Sequence, residues 1–328
     1  MTHHSQSLPW SSPGQKRRIL GGMRRVEARL GQSASSYPGL LGACAASTLS
    51  AGGKRLRPLL VLLCARRHAV LGGAVVHAAA SVELLHMATL VHDDVLDGAP
   101  LRRGRPTVFS EAGAAVATSV GNYLFAGAFS EIVATGDPRA VDRLSAVAAG
   151  LSEGELLQMN EAYAVTLTPE QYLRRCTLKT ADLFAVSCGL GAQVTGLEET
   201  NVVVLEDFGR LLGLAFQIFD DILDFIGNEA HTGKRVGTDA RDGTVTLPLV
   251  YALEARPDLG PLVALPKKDE AQVERVVAEV RACGALERCR EAALAYITAS
   301  RERLEACTGD IEKDLLRDVA EQVVDRYG

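Results

Sequence analysis

Runs in which Val, Ile and Thr alternate with polar residues between turn formers are almost absent from this chain, which argues against a sheet-based fold. No fixed-period repeat appears, which sets aside solenoids and propellers. No Pro- or Gly-rich linker splits the middle of the sequence. Positive charge is not in excess: 35 Lys and Arg stand against 40 Asp and Glu, a net charge of −5, and no nucleic-acid partner is expected. Cys44, Cys64, Cys176, Cys188, Cys283, Cys289 and Cys307 are odd in number and lack zinc-ligand spacing. The opening residues, MTHHSQSLPWSSPGQKRR, are polar and lack the apolar core of a secretory leader. The thiols are therefore expected to be reduced, in a cytoplasmic protein, with residues 1–15 as a flexible lead-in.

Long hydrophobic runs are also few. An uncharged run from Ala112 to Ser130 approaches membrane-spanning length. It is rich in Ala, Gly, Ser and Thr and contains Asn122, so its hydrophobicity is weak for a spanning helix. A buried helix is expected there, and no transmembrane segment.

Hydrophobic residues make up 47% of the chain, enough for a large core. Ala, Leu, Glu and Arg dominate long segments, which favours helix. Helices are expected near roughly 16–30, 37–50, 57–67, 72–94, 112–134, 139–162, 168–179, 181–194, 198–225, 242–255, 268–282, 285–306 and 310–326, with a break or kink before 181. Thr168-Pro169-Glu170 supplies an N-cap and a first-turn proline. The expected architecture is all-α: a single large helical bundle over residues 16–328, with ligand sites between facing helices.

Residues 83–106 read ELLHMATLVHDDVLDGAPLRRGRP. Asp93, Asp94 and Asp97 end an apolar helical run, and Arg102, Arg103 and Arg105 follow. Asp93 and Asp97 are one turn apart and share a helix face. Two such carboxylates suit a hard divalent cation, above all Mg2+. Arginine forks suit phosphate oxygens. Taken alone, the triplet reads equally well as a solvated helix end. The chain repeats it, however. FQIFDDILD at 216–224 places Asp220, Asp221 and Asp224 at the end of a second apolar helix, with Lys234 and Arg235 downstream. Two copies point to two carboxylate clusters facing each other across a cleft, with metal and a diphosphate between. A loop at Gly52-Gly53-Lys54-Arg55-Leu56-Arg57 precedes another helix. Its glycines allow close backbone approach to an anion, although alone it reads as a flexible basic turn.

In order, GGKRLRP (52–58), HDDVLDGAPLRRGRPT (92–107), EGELLQ (153–158), Lys179-Thr180, FQIFDDILDF (216–225) and GKRVGTD (233–239) resemble the trans-isoprenyl diphosphate synthases of the polyprenyl synthetase family. The resemblance covers most of the chain. It implies a helical bundle around a central cavity and head-to-tail 1'-4 condensation of isopentenyl diphosphate with an allylic diphosphate. It also implies three Mg2+ ions and a homodimer. By resemblance, Lys54, Arg57, His86 and Arg103 bind the diphosphate of isopentenyl diphosphate. Arg102, Lys179, Thr180, Gln217 and Lys234 bind the allylic diphosphate. Asp93, Asp97 and Asp220 lead the metal set, with Asp94, Asp221 and Asp224 beside them.

The chain departs from the family pattern at two internal places, and the closing Asp325-Arg326-Tyr327-Gly328 lacks the basic tail of some relatives. Gly243-Thr244-Val245-Thr246-Leu247-Pro248 lacks a lysine that many relatives carry, and Asn122 stands where Asp is frequent. His92 is expected only to pack or hydrogen-bond beside the acidic cluster. Product length is expected to depend on a pocket of Leu84, Leu85, Ala88 and Thr89, with Phe125 or Phe129 as a deeper floor. Ala88 is small, so growth to C20 or longer is expected. The alternatives are a class I terpene cyclase, which would normally lack the second DDxxD and the Gly-Gly-Lys-Arg loop, and a partner subunit of a heteromeric synthase.

Overall fold

Helices dominate the structure, as the helix-favouring composition predicts. The computed structural model describes residues 9–227 and 236–325. In chain order the helices are α1 (Pro13–Ala34), α2 (Leu40–Ser50), α3 (Leu56–Cys64), α4 (Gly73–Leu96), α5 (Val108–Val133), α6 (Pro138–Asn160), α7 (Pro169–Cys176), α8 (Asp182–Gln193) and α9 (Glu199–Ile226). From residue 236 on come α10 (Thr238–Asp242), α11 (Leu247–Ala255), α12 (Gly260–Val263), α13 (Glu270–Ala282), α14 (Ala285–Glu305) and α15 (Lys313–Asp325). A two-residue hairpin, β1 (Leu101–Arg102) against β2 (Arg105–Pro106), joins α4 to α5. The chain gathers into two compact units. One holds residues up to Ala148 with Leu183–Gly209 and Arg303–Val319; the other holds Ala149–Asp182, Arg210–Glu302 and residues from Ala320 on.

In the first unit α4 is the central helix. Val75, Ala78, Ala79, Val82, Leu84, Leu85, Met87, Ala88 and Val91 are all buried, so it is apolar around most of its circumference. Among the described residues it is the one helix long and apolar enough to cross a membrane. With 72% of its apolar window buried inside the protein, it reads as a core helix. It packs along α5. A methyl group at Gly121 would collide with the His92 ring, and one at Gly127 would meet Leu84 Cδ1 at 3.6 Å. Glycine at 121 is thus what lets His92 into the seam. α5 itself differs from expectation. It starts at Val108, capped by the Thr107 hydroxyl, and kinks at Gly113, whose φ is 82°. Only one side is buried; Ala114, Ala115, Thr118, Ser119, Asn122 and Phe125 are exposed. α1 begins at Pro13, capped by Ser12, so helix already covers the end of the stretch expected to be flexible.

In the second unit, Thr168 caps α7 with Pro169 at the first turn, as the sequence indicates, and Gln171 completes a capping box. The expected break before residue 181 is instead a π-helical turn, Thr177–Ala181, that carries the chain on into α8. Asp269 and Gln272 cap α13 in the same way. Arg175 is buried and tied down: Nη1 donates to Glu161 at 2.8 Å and Nη2 to the Val245 carbonyl at 2.6 Å.

Candidate active site

The first acidic cluster ends α4. Along this buried helix one line of residues stays at least partly accessible: His86, Thr89, Leu90, Asp93 and Asp97. Their spacing of three and four places them on one face. Asp94, rotated about 100° from Asp93, is buried. Burial pushes its carboxyl up, and Arg102, whose Nε donates to Asp94 Oδ1 at 2.6 Å, counters that. Arg102 is fixed by the hairpin, in which Arg103 (φ 54°) and Gly104 (φ 73°) form the turn. Two successive left-handed residues are what a tight two-residue hairpin demands. His92 faces Gly121, and its Nε2 is buried without a hydrogen-bond partner.

The Gly-Gly-Lys-Arg loop belongs to the same unit. Gly52 and Gly53 have φ of 84° and 154°, and Arg55, at the N-cap of α3, is left-handed at φ 50°. A methyl group at Gly53 would lie 2.7 Å from Arg103 Nη1, so the loop backbone rests directly on that guanidinium. Arg57 stacks over the Phe184 ring at 4.8 Å, and its Nε is buried without a partner. Burial brings Arg57 down to about 10, which leaves it charged at neutral pH. His86 is held well below its ordinary range by burial and then by Arg57, Arg103, Arg102 and Arg55. Its imidazole is therefore neutral, a donor without charge. Arg57, His86 and Arg103 thus share one cationic neighbourhood, next in sequence to Lys54, and Arg57 Nε is the orphaned donor there, the chemistry an anion would complete.

The second cluster ends α9, in the other unit. Asp220 and Asp224 share a face and are half-buried, while Asp221 is buried. Asp221 Oδ2 accepts from the Tyr172 hydroxyl at 2.7 Å and Oδ1 from Gln217 Nε2 at 2.7 Å. Gln217 Oε1 in turn accepts from Thr180 Oγ1 at 2.7 Å. Burial lifts Asp221 to about 7, against the pull of Tyr172 and Gln217. Asp224 caps α10, accepting from the backbone N–H groups of Thr238 and Asp239 at 3.1 Å. Lys179, in the π turn, pairs with Glu155 and donates to Gln158 Oε1 at 3.0 Å. Single π turns occur often at functional sites because the extra residue re-aims side chains. EGELLQ thus serves as the anchor of Lys179.

The structure therefore brings Asp93 and Asp97 together on one open helix face, and it links Thr180, Gln217, Asp221 and Tyr172 in one hydrogen-bond chain, with Lys179 next to Thr180 in the π turn. Lys234 lies outside the described residues. Leu84, Leu85 and Ala88 are buried, and Thr89 is half-buried with its hydroxyl on the His86 carbonyl. Phe125 and Phe129 stack at 5.2 Å, but Phe125 is 37% exposed, so it does not floor an enclosed pocket of this chain. An aromatic in an uncharged run suggests an inward position for Phe125; it stands instead at the rim of the buried side of α5. Sequence reasoning missed Tyr172, Glu155 and Glu83. Glu83 carried a signal, as the one carboxylate within the apolar run from Gly73 to His92.

Asp93, Asp97 and Asp220 offer hard oxygen donors of the kind Mg2+ takes. Among the described residues no three His, Cys, Asp or Glu side chains form a complete metal cage. Ligand oxygens would have to finish the coordination shell, the usual arrangement where a magnesium ion rides on a phosphate substrate. An all-helical frame bearing two acidic helix ends, each accompanied by arginine or lysine donors, defines a helical enzyme that handles diphosphate esters.

Comparison with known proteins makes that class specific. The polyprenyl synthetase family model matches residues 38–281. Heptaprenyl diphosphate synthase component 2 of Geobacillus stearothermophilus is 40% identical over 296 residues, 90% of this chain and 92% of that protein. The crystal structure of heptaprenyl diphosphate synthase from Staphylococcus aureus matches with a TM-score of 0.90 at 29% identity, over 94% of this chain and 99% of that one. Polyprenyl synthase from Caulobacter crescentus CB15, solved with calcium and isoprenyl diphosphate, matches with a TM-score of 0.84 at 31% identity, over 95% and 96% of the two chains. The chain belongs to the polyprenyl synthetase family, and its activity is a prenyl transfer.

Proposed function

We propose that the protein is a Mg2+-dependent trans-polyprenyl diphosphate synthase that extends an allylic diphosphate with isopentenyl diphosphate to products of C20 or longer. The carrying observation is that both DDxxD sets are complete and each keeps accessible carboxylate beside an organised group of diphosphate-binding side chains. Asp93, Asp97 and Asp220 would hold the metal, with three ions as the family suggests. When bound, Mg2+ offsets the negative charge that develops on the leaving diphosphate.

In this reading Arg102, Lys179, Thr180, Gln217 and Lys234 hold the allylic diphosphate as its C–O bond breaks. Lys54, Arg57, neutral His86 and Arg103 hold isopentenyl diphosphate so that its double bond reaches the allylic carbon. A new C–C bond forms, a proton leaves the former isopentenyl unit, and the departing diphosphate takes it. No side chain has to be a strong base. Purified protein with Mg2+, isopentenyl diphosphate and primers from dimethylallyl to geranylgeranyl diphosphate should yield a product ladder ending at C20 or beyond. Asp93→Ala and Asp220→Ala should each lower turnover at least about a hundredfold, the scale of losing one electrostatic stabiliser. Near-normal turnover in either would sink this reading.

One observation raises the question of subunits. The exposed side of α5 runs through Ala114, Thr118, Ser119, Asn122, Phe125 and Ser130 without a charge, which suits helix packing against a second copy. We read this as a homodimer face. The G. stearothermophilus relative is named as component 2, and that favours a second reading, a catalytic subunit that needs a different partner. A dimeric mass with activity from the purified chain alone supports the first reading. A chain inactive until mixed with a second protein supports the second. The seven cysteines, all free and five of them buried, support a cytoplasmic location, which cell fractionation would test.

A further inference from the structure

The cationic neighbourhood at the Gly-Gly-Lys-Arg loop contains one deeply buried carboxylate. We propose that Glu83 is a positioning residue for the isopentenyl diphosphate side of the site, acting through Arg55; this rests on the reading of Lys54, Arg57, His86 and Arg103 given above. Neither Glu83 nor Arg55 belongs to that diphosphate-binding set, and both are almost wholly enclosed, at 3% and 5% exposure. Neither can therefore meet a substrate directly.

Arg55 is the fixed point of the loop. Nη1 donates to Glu83 Oε1 at 2.8 Å, Nε to Glu27 Oε1 at 2.8 Å and Nη2 to the Leu49 carbonyl at 2.9 Å. Nη1 also lies 3.7 Å from Met87 Sδ. The guanidinium thus ties the end of α2, α1 and the middle of α4 to a left-handed residue whose backbone starts α3. A left-handed non-glycine costs on the order of 1 kcal/mol or more and persists only where the surroundings hold it. The three hydrogen bonds supply that hold. Lys54 and Arg57 flank Arg55 in sequence, so its placement sets theirs.

Glu83 also sets charge. A methyl group on Gly53 would lie 2.7 Å from Arg103 Nη1 and 3.3 Å from an Arg55 guanidinium nitrogen, so two guanidiniums meet under one glycine. Like charges that close need a counter-ion. The Glu83 carboxylate stabilises the charged forms of Arg55, Arg57 and Arg103. His86 and Met87 stand one turn beyond Glu83 on α4, so the helix that carries the counter-ion also carries a diphosphate-binding side chain. Without Glu83, Arg55 Nη1 would be an unpaired buried charge beside two more cations, and the loop would relax away from Gly53.

The test is steady-state kinetics on the full chain, wild type against Glu83→Gln, Glu83→Asp and Arg55→Lys, with circular dichroism as the folding check. Glu83→Gln should raise KM for isopentenyl diphosphate about tenfold or more, a loss of roughly 1.4 kcal/mol. KM for the allylic diphosphate should stay within about twofold. Glu83→Asp, which keeps the charge, should recover most of the loss. If Glu83→Gln does not fold, Arg55→Lys carries the test, because a lysine keeps the charge but cannot reach three acceptors as a fork; the same split between the two KM values is expected. An unchanged KM for isopentenyl diphosphate, equal rises in both KM values, or a fall in kcat alone would overturn the proposal. A wild-type protein without turnover would instead overturn the function proposed above.

Discussion

On the proposed pocket, Ala88→Phe should shorten the product by an amount that helix geometry gives. Ala88 lies four residues from both Leu84 and His92, so the three share the α4 face that meets α5. On the proposed pocket a side chain at Ala88, five residues before Asp93, would stand in the path of the growing chain. Leu84 is one turn deeper, about 6 Å at 1.5 Å per residue, comparable to one isoprene unit. A ring at Ala88 would therefore close that path at least one unit above the Leu84 level. Overpacking a fully buried alanine costs about 1–3 kcal/mol, against a typical stability of about 5–15 kcal/mol, so the variant should fold. Labelled isopentenyl diphosphate and chromatography of the dephosphorylated products would show the stop move down by one unit or more at retained turnover. Phe125→Ala is the control. Phe125 is 37% exposed at the rim of the buried side of α5, so its loss should leave product length unchanged. A folded, active Ala88→Phe enzyme with the wild-type product distribution would refute the pocket assignment.

Burial lifts Asp221 to about 7 from an ordinary value of 3.8. A folded-state value above the unfolded one means that the native state binds the proton more tightly. This contribution is complete below the ordinary carboxylate range and is lost as pH rises through about 7. Metal-free melting temperatures should therefore fall between pH 5 and pH 8, less so in Asp221→Asn; a Tm that rises equally in both proteins would refute it. Tyr172→Phe removes a donor from that carboxylate and should cost about 1.5–3 kcal/mol at neutral pH, read as a shifted denaturation midpoint; an unchanged midpoint would show that the bond is not formed. Arg175→Ala leaves Glu161 and the Val245 carbonyl without their buried partner. Destabilisation of about 3–5 kcal/mol is expected, and a loss under about 1 kcal/mol in denaturant titration would contradict it.

The acidic motifs were legible because identity and a four-residue spacing fully determine which face they share. The π turn was not. The residues Thr177–Ala181 carry no local sign of it, and Lys179 within the turn reaches partners, Glu155 and Gln158, some twenty residues away. Glu83 stood out as a charge in an apolar run, but its partner Arg55 is 28 residues distant and no local pattern links them. The hairpin at Leu101–Pro106 is too short for any periodicity, and its one local sign was Arg103-Gly104 as a left-handed turn pair. Phe125 misled because a run of apolar residues looks the same whether a helix is buried all round or on one side only. Each miss is a tertiary contact overriding a local reading.

The two DDxxD copies divide their labour in the same way, and helix geometry explains why. First and last positions lie one turn apart on one face, while the second position points about 100° away. In both copies that second aspartate is turned into the protein: Asp94 is 6% exposed and Asp221 is 5% exposed. A buried carboxylate must find donors, and each finds a side chain of the proposed allylic diphosphate set. Asp94 takes Arg102. Asp221 takes Gln217, whose amide oxygen then accepts from Thr180. On the proposed reading, then, the motif is more than a run of metal ligands. Asp93, Asp97 and Asp220 among its outer aspartates would meet the cation, Asp224 caps α10, and its inner one fixes the direction in which a neighbouring donor meets the diphosphate. Asp94→Asn and Asp221→Asn should therefore raise KM for the allylic diphosphate more than KM for isopentenyl diphosphate. Kinetics in which both variants behaved like Asp93→Ala, with turnover lost and KM values intact, would show instead that all six carboxylates act alike.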